Sequence, residues 1–372
     1  MKQENNTHKA CRPELCESVK FSDLAKKVKQ WGKDLGFQAI GITDTDLTRA
    51  EQRFNTWIEH KMHGEMSYMS RHGSKRTRPA ELEIGTISII SARMDYFPEP
   101  AELSINLLQQ PGKGYIARYS LGRDYHKVMK KRLQTLANKL EQEIGTFGYR
   151  VFTDSAPVLE KPLAEKAGIG WIGKHSNLLQ EKTGSWFFLG EIYTDLPLPV
   201  DEPSVNHCGT CNRCMTACPT QAIVKPYVVD SRLCISYLTI ESRRPIPQNL
   251  RTLMGNRIYG CDDCQLFCPW NRFSQQTVES DYFARGDLAS PELLDLFRWT
   301  EAEFLKNTEG SAIRRIGHEC WLRNIAVALG NCLATQPERA DEIISALKEK
   351  LNHPSELVQE HVSWALDQVT WK

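Results

Sequence analysis

The stretch CGTCNRCMTACP, residues 208–219, sets four cysteines at spacings of x2, x2 and x3 and closes on a proline. A second stretch, CDDCQLFCP (261–269), carries three more at x2 and x3, again followed by proline. Thiolates are soft ligands that select zinc or iron–sulfur clusters. A zinc site takes four ligands, usually as two C-x2-C pairs. The first stretch instead has the C-x2-C-x2-C-x3-C-P spacing of two-cluster ferredoxins, where the fourth cysteine crosses to the other cluster. Cys208, Cys211 and Cys214 then need one more ligand, and Cys268 is the natural choice. Cys218, Cys261 and Cys264 belong to the second cluster. Cys234, in SRLCISYLT, is the only other cysteine between the two motifs and is assigned as the missing fourth ligand. Eight thiolates predict two [4Fe–4S] clusters, a short wire for single electrons. The wire indicates redox chemistry and names no substrate.

The rest of the chain bounds what that wire serves. With 372 residues, two or three domains are expected, and 41% apolar residues are ample for a core. A net charge of +1 points to no acidic or basic partner overall, so any nucleic-acid surface must be a local patch. No apolar run reaches membrane-spanning length. The segment MKQENNTHKACRPELCESVK lacks both an apolar h-region and a twin arginine, so a cytoplasmic protein without membrane partners is expected. In that reducing setting the clustered cysteines are ligands, while Cys11, Cys16, Cys320 and Cys332 are bystander thiols. Phe21, Leu24, Val28, Trp31 and Leu35 recur near helical spacing before a short strand, QAIGIT. TISIISARMDY (86–96) and SWFFLGEIYTDLPL (185–198) read as strands. Between them, GKGYIARYSLGRDYHKVMKKRLQTLANKLEQEI and YRVFTDSAPVLEKPLAEKAG each read as a strand followed by a helix. Alternation over the first 200 or so residues predicts an α/β domain. The proline-rich DLPLPVDEPSVNH marks a boundary, and after about residue 273 the pattern is helical. SAIRRIGHECWLRNIAVALGN and SELVQEHVSWALDQV suggest two divergent helical pairs of HEAT type. The expected domains are 1–198, 199–272 and 273–372.

FTDSAPVLEKPLAEKAGIGWIGKHSNLL, CISYLTIE and MGNRIYGCDDCQLFCPWNR, with the helical tail, closely resemble the epoxyqueuosine reductase family over nearly the whole chain. The resemblance implies an N-terminal α/β cobalamin-binding domain related to that of reductive dehalogenases, a ferredoxin-like two-cluster domain and a HEAT-like tail. It implies reductive removal of the epoxide oxygen of epoxyqueuosine at the wobble position of tRNA, the last step of queuosine synthesis. A leaving oxygen must be protonated, which calls for a carboxylic acid. Asp154 in FTDSAP sits where the family places its proton donor; read without the family, it caps the following turn. The resemblance also places cobalamin contacts at Arg76, Ala117, Asp154, Leu178, Leu189 and Ser236. DYHKVM (124–129) begins like a cobalamin D-x-H-x-x-G motif but has Met129 for the glycine, so His126 reads as a ring-packing or structural histidine. The family needs no lower-ligand histidine. GIGWIGKHS (168–176) lacks P-loop spacing and reads as a tight turn next to the corrin.

Phosphates call for local positive charge. ESRRPIPQNLRTLMGNR carries Arg243, Arg244, Arg251 and Arg257, and GSAIRRIGHECWLRN carries Arg314, Arg315 and Arg323. Lys161, Arg251, Arg257, Arg314, Arg315 and Arg323 are therefore the expected RNA contacts, with a solvated face of helices as the plainer alternative. A base in the anticodon loop has to be splayed from its stack to be reached. The expected partners are a tRNA with a queuosine-type wobble base and a low-potential electron donor, with the chain a monomer. Competing readings are a cobalamin-dependent reductive dehalogenase and a non-catalytic electron-transfer or RNA-binding module.

Overall fold

The computed structural model describes residues 21–97 and 99–369, so Cys11 and Cys16 lie outside the described residues. The described chain forms two compact units. One comprises residues 21–60, Ser67–Asp95 and Tyr125–Thr210; the other comprises Lys61–Met66, Tyr96–Asp124 and residues 211–369. Among the described residues, no helix is long and apolar enough to cross a membrane.

In the first unit, helix α1 (Phe21–Asp34) turns Leu24 and Val28 fully inward, while Phe21, Trp31 and Leu35 are half-buried on the same face. Four strands follow: β1 (Ala39–Thr43), β2 (Ser88–Asp95), β3 (Tyr149–Phe152) and β4 (Phe187–Thr194). They lie in the order β1-β2-β4-β3 and every neighbouring pair is antiparallel. The strand and helix alternation is as read from the sequence. The pairing could not be, because it depends on which strands meet in space. All eight residues of β2 and all eight of β4 are buried, as central strands covered on both faces must be. Helix α2 (Tyr125–Ile144) packs on β4 and buries Leu133, Leu136, Ala137 and Leu140. Gly190 permits that approach: a Cβ there would stand 2.7 Å from Leu133 Cδ1. Helix α3 (Glu160–Lys166) buries Leu163 and Ala164 against the same sheet.

In the second unit, two one-turn helices, α4 (Arg213–Ala217) and α5 (Asp263–Leu266), pack against each other and bring the two cysteine motifs side by side. Tyr115–Ile116 is a two-residue strand paired in parallel with Arg257–Tyr259. The C-terminal part is helical, as expected. Its centre is α6 (Gly317–Thr335), buried over thirteen of nineteen residues, the mark of a helix packed all round. Helices α7 (Ala340–Glu349) and α8 (Glu356–Leu366) share a core with it that includes Trp321, Ile325, Leu329, Leu347 and Val362. A Cβ on Gly330 would lie 2.7 Å from the Trp364 ring, so glycine lets α6 and α8 approach closely.

Candidate active site

Asp154 lies two residues past the end of β3 and has φ of +49°, a left-handed conformation that costs most residues about 1–2 kcal/mol but suits Asp and Asn better. Its backbone is held by Glu160, whose Oε1 accepts from the Asp154 amide at 2.5 Å. Its carboxylate Oδ2 accepts from the Tyr125 hydroxyl at 2.5 Å and lies 3.2 Å from His126 Nε2. The Tyr125 ring stacks on both His126 and Phe188, with centroids 4.1 Å apart in each case. Half of the Asp154 side chain remains open to solvent, so the carboxyl is anchored from behind and accessible in front. His126 packs its ring as the sequence suggested, and also reaches the acid.

Two further carboxyls lie behind Asp154. Glu191 is fully buried in the middle of β4, opposite Ser91 of β2 and Phe152 of β3. The Ser91 hydroxyl donates to its Oε1 at a long 3.4 Å. Burial, with Glu160 alongside, pushes the Glu191 carboxyl well up from its ordinary range. Glu160 is half-buried as a residue, but the enclosure of its carboxyl and the charge of Asp154 push it up to about 8. Tyr125, Glu160 and Glu191 join the site without having been singled out by any motif in the sequence. Glu191 had a signal: an acid inside the apolar run FFLGEIYT must be paired, protonated or costly.

Arg76 is buried beside this group. Its Nη2 donates to Tyr68 O at 2.9 Å, and its Nε has no partner among the described residues. Burial lowers the Arg76 pKa, and the charge of Asp154 works against that. A buried, unsatisfied guanidinium N–H is costly unless an acceptor from another molecule completes it, which fits a polar group of a bound cofactor. Leu178 and Leu189 are buried in the same unit, while Ala117 (buried) and Ser236 (half-buried) belong to the other. GIGWIGKHS supplies the first strand of a short hairpin, Trp171–Ile172 with Leu178–Leu179, and most of its turn, which receives Lys161 Nζ at Ser176 O (2.9 Å) and Asn177 Oδ1 (3.0 Å). His175, buried in that turn, is pushed down to about 4 by burial and by Lys161.

Among the cysteines, Cys218, Cys234 and Cys264 lie near enough to act on one another: beyond burial, Cys234 raises the Cys264 thiol and Cys218 raises Cys234. The Ala222 amide donates to Cys218 Sγ at 3.2 Å, and the amides of Tyr237 and Ser236 donate to the Cys234 sulfur. Such N–H···S bonds suit thiolates holding a cluster. Cys261 Sγ lies 2.9 Å from Asp263 Oδ2, and Asp263 is clamped by Arg257 through two bonds of 2.7 and 2.5 Å. Cys214 and Cys268 are buried, Cys211 is exposed, and Cys208 is half-buried with its amide on Asn206 Oδ1. Cys320 and Cys332 are buried in the helical core.

The basic residues divide by burial. Arg314 and Arg315 are exposed, Arg315 pairing with Glu241 at 2.6 Å, and Lys161 is exposed in the first unit. Arg323 is not on a surface. Its guanidinium donates to the carbonyls of Ser242, Arg244 and Leu238 at 2.7–2.9 Å and to Asn324. Arg251 is likewise enclosed, bonded to Ile246 O and to Glu360, with its guanidinium over the Trp364 ring. Arg257 is engaged by Asp263. These three were expected at the RNA; in the folded chain they tie backbone segments and the cysteine motif together, Arg323 because its helix is packed nearly all round, Arg251 through Ile246 and Glu360, and Arg257 through Asp263. Arg323→Ala should therefore cost roughly 3 kcal/mol or more, since several buried carbonyls lose their donors. Thermal unfolding should show the loss, while stem-loop affinity measured on folded protein stays unchanged.

An exposed acid backed by buried carboxyls, in a chain with a double set of cluster cysteines, defines an iron–sulfur oxidoreductase. Residues 207–271 match the 4Fe-4S double cluster binding domain, and residues 76–155 match the family described as Epoxyqueuosine reductase QueG, DUF1730. The chain is 55% identical to the epoxyqueuosine reductase of Escherichia coli K12, over 95% of this chain and 92% of that one. It is 54% identical to that of Vibrio cholerae, covering 95% and 94%. A crystal structure of epoxyqueuosine reductase with a tRNA-Tyr epoxyqueuosine-modified stem loop superposes with a TM-score of 0.81 at 26% identity, covering 94% of this chain and 91% of that one. The enzyme of Streptococcus thermophilus gives a TM-score of 0.74 at 26% identity, covering 93% and 99%. The chain belongs to the epoxyqueuosine reductase family. That membership sets aside the dehalogenase and the non-catalytic module.

Proposed function

We propose that this chain reduces epoxyqueuosine to queuosine in the anticodon of tRNA, with Asp154 as the proton donor to the leaving oxygen. The observation that carries the assignment is the Asp154 carboxyl, half open to solvent and held at one oxygen by Tyr125. Two [4Fe–4S] clusters on Cys208, Cys211, Cys214 with Cys268, and on Cys218, Cys234, Cys261 with Cys264, would deliver electrons singly from a low-potential donor. Cobalamin is the cofactor this reading adds, with Arg76, Ala117, Leu178, Leu189 and Ser236 to hold it; when bound it supplies a metal centre able to reduce carbon. The protein's own part is to hold the ring, present Asp154 and admit the base. The functional divisions are residues 1–198 for the corrin, 199–272 for the clusters and 273–372, as two HEAT-type helical pairs, for RNA. The protein acts as a cytoplasmic monomer.

Arg314 and Arg315 are the phosphate contacts in this reading, with Lys161 nearer the acid in sequence. Removing both arginines should raise the apparent KM for tRNA and leave kcat largely intact at saturation. Each lost phosphate contact should lower the salt slope of binding by about 0.7–0.9. Binding of an anticodon stem-loop at two salt concentrations reads this directly, and equal slopes for wild type and variant would remove the arginines from the interface. The function itself is tested by anaerobic reconstitution with cobalamin, followed by turnover on epoxyqueuosine-containing tRNA. Protein that takes up clusters and corrin but leaves the epoxide intact would refute it.

A further inference from the structure

We propose that Glu160 and Glu191 form a buried proton store that recharges Asp154 within each catalytic cycle. The inference rests on the function proposed above and assigns these residues a role in that reaction. Reducing the epoxide to an alkene breaks two C–O bonds, forms one C–C π bond and releases the oxygen as water. The balance needs two electrons, delivered through the clusters, and two protons at one oxygen. Asp154 carries one titratable proton. Once that proton is given up, a second must reach the same place.

The chain sets its proton-holding groups directly behind Asp154. Glu160 Oε1 lies 2.5 Å from the Asp154 amide, and Glu191 sits on β4 opposite Phe152, two residues before Asp154. Among the described residues no cation pairs with Glu191; its neighbours across the sheet are Ser91 and Phe152. Enclosure raises both carboxyls, Glu160 to about 8 and Glu191 well above its ordinary range, so at neutral pH each holds its proton and the pair is uncharged. The titratable and charged groups facing the pair are Asp154, His126, Lys161 and Tyr193. Tyr125 and Arg76 face Asp154 itself. His126 stands beside the acid, its Nε2 3.2 Å from Asp154 Oδ2. In the recharging step an O–H bond of the pair breaks and an O–H bond on the Asp154 carboxylate forms. The pair is left with one negative charge and is refilled from water after product leaves. No electron moves in this step.

A merely structural Glu160 would anchor the left-handed backbone of Asp154 and nothing more. Glu160→Gln separates the roles, because its amide oxygen can still accept from the Asp154 N–H but the side chain cannot supply a carboxyl proton. The raised carboxyl holds its proton below about 8 and releases it above, so wild-type turnover should fall as pH rises through about 8. In the holoenzyme, Glu160→Gln should turn over an epoxyqueuosine stem-loop roughly 10²-fold more slowly and lose that alkaline limb. Its stem-loop affinity and visible spectrum should match wild type. Infrared spectra of the full chain should show a protonated carboxyl at pH 7 that titrates away above about 8 and is diminished in the variant. If Glu160→Gln does not fold, Glu191→Gln and the wild-type infrared titration carry the same test. Wild-type turnover with an unaltered rate and pH profile in the variant overturns the store alone. Wild-type protein that never converts the epoxide overturns the function and the store with it.

Discussion

Asp154→Asn should lower kcat by roughly 10²–10⁴-fold, the contribution expected of a general acid. Asparagine is the informative replacement for two reasons found in the structure. It tolerates the left-handed backbone at this position nearly as well as Asp, where alanine would add strain. It also keeps an oxygen that can accept from the Tyr125 hydroxyl, so the stacked Phe188–Tyr125–His126 arrangement has no cause to move. What disappears is the titratable proton. Iron content, corrin spectrum and stem-loop affinity should therefore stay at wild-type values while turnover of epoxyqueuosine collapses. An asparagine variant with near-normal kcat would reduce Asp154 to a turn residue.

Cys234→Ala should remove one cluster and leave the other, taking iron from about eight to about four per chain, and should abolish turnover because the electron path is cut. The position is enclosed, with its sulfur receiving the amides of Ser236 and Tyr237 and Cys218 close enough to raise its pKa. Cys320→Ala is the control. That thiol is buried in the core around α6, so its loss should cost a little stability and no iron. Iron analysis with anaerobic spectra of both variants settles the assignment. Eight irons retained in Cys234→Ala would move the fourth ligand elsewhere.

What was legible in the sequence was local. The double-cluster motif was legible because cysteine spacing within each stretch is local, and residues 207–271 match a 4Fe-4S double cluster binding domain; which cysteines share a cluster depends on how the two stretches meet. Strands and helices of the first unit were legible for the same reason, since periodicity is a property of neighbouring residues. Asp154 stood out only through family resemblance, because an Asp before Ser-Ala-Pro has a commoner use as a turn cap.

The tertiary structure decided everything that depends on which segments meet. Arg314 and Arg323 lie nine positions apart in one basic stretch, and nothing local distinguishes them. One is exposed; the other is enclosed by α6 packing and bonded to three carbonyls from residues 238–244. The carboxyl group behind Asp154 is the same kind of case. Glu160 and Glu191 are thirty-one residues apart, and only the pairing of β3 with β4 sets Glu191 beside the end of the strand that leads to Asp154. Residue types and spacings determined the chemistry this chain can do. Burial and strand pairing decided which charges stay in water, which keep their protons, and so which residues can take part.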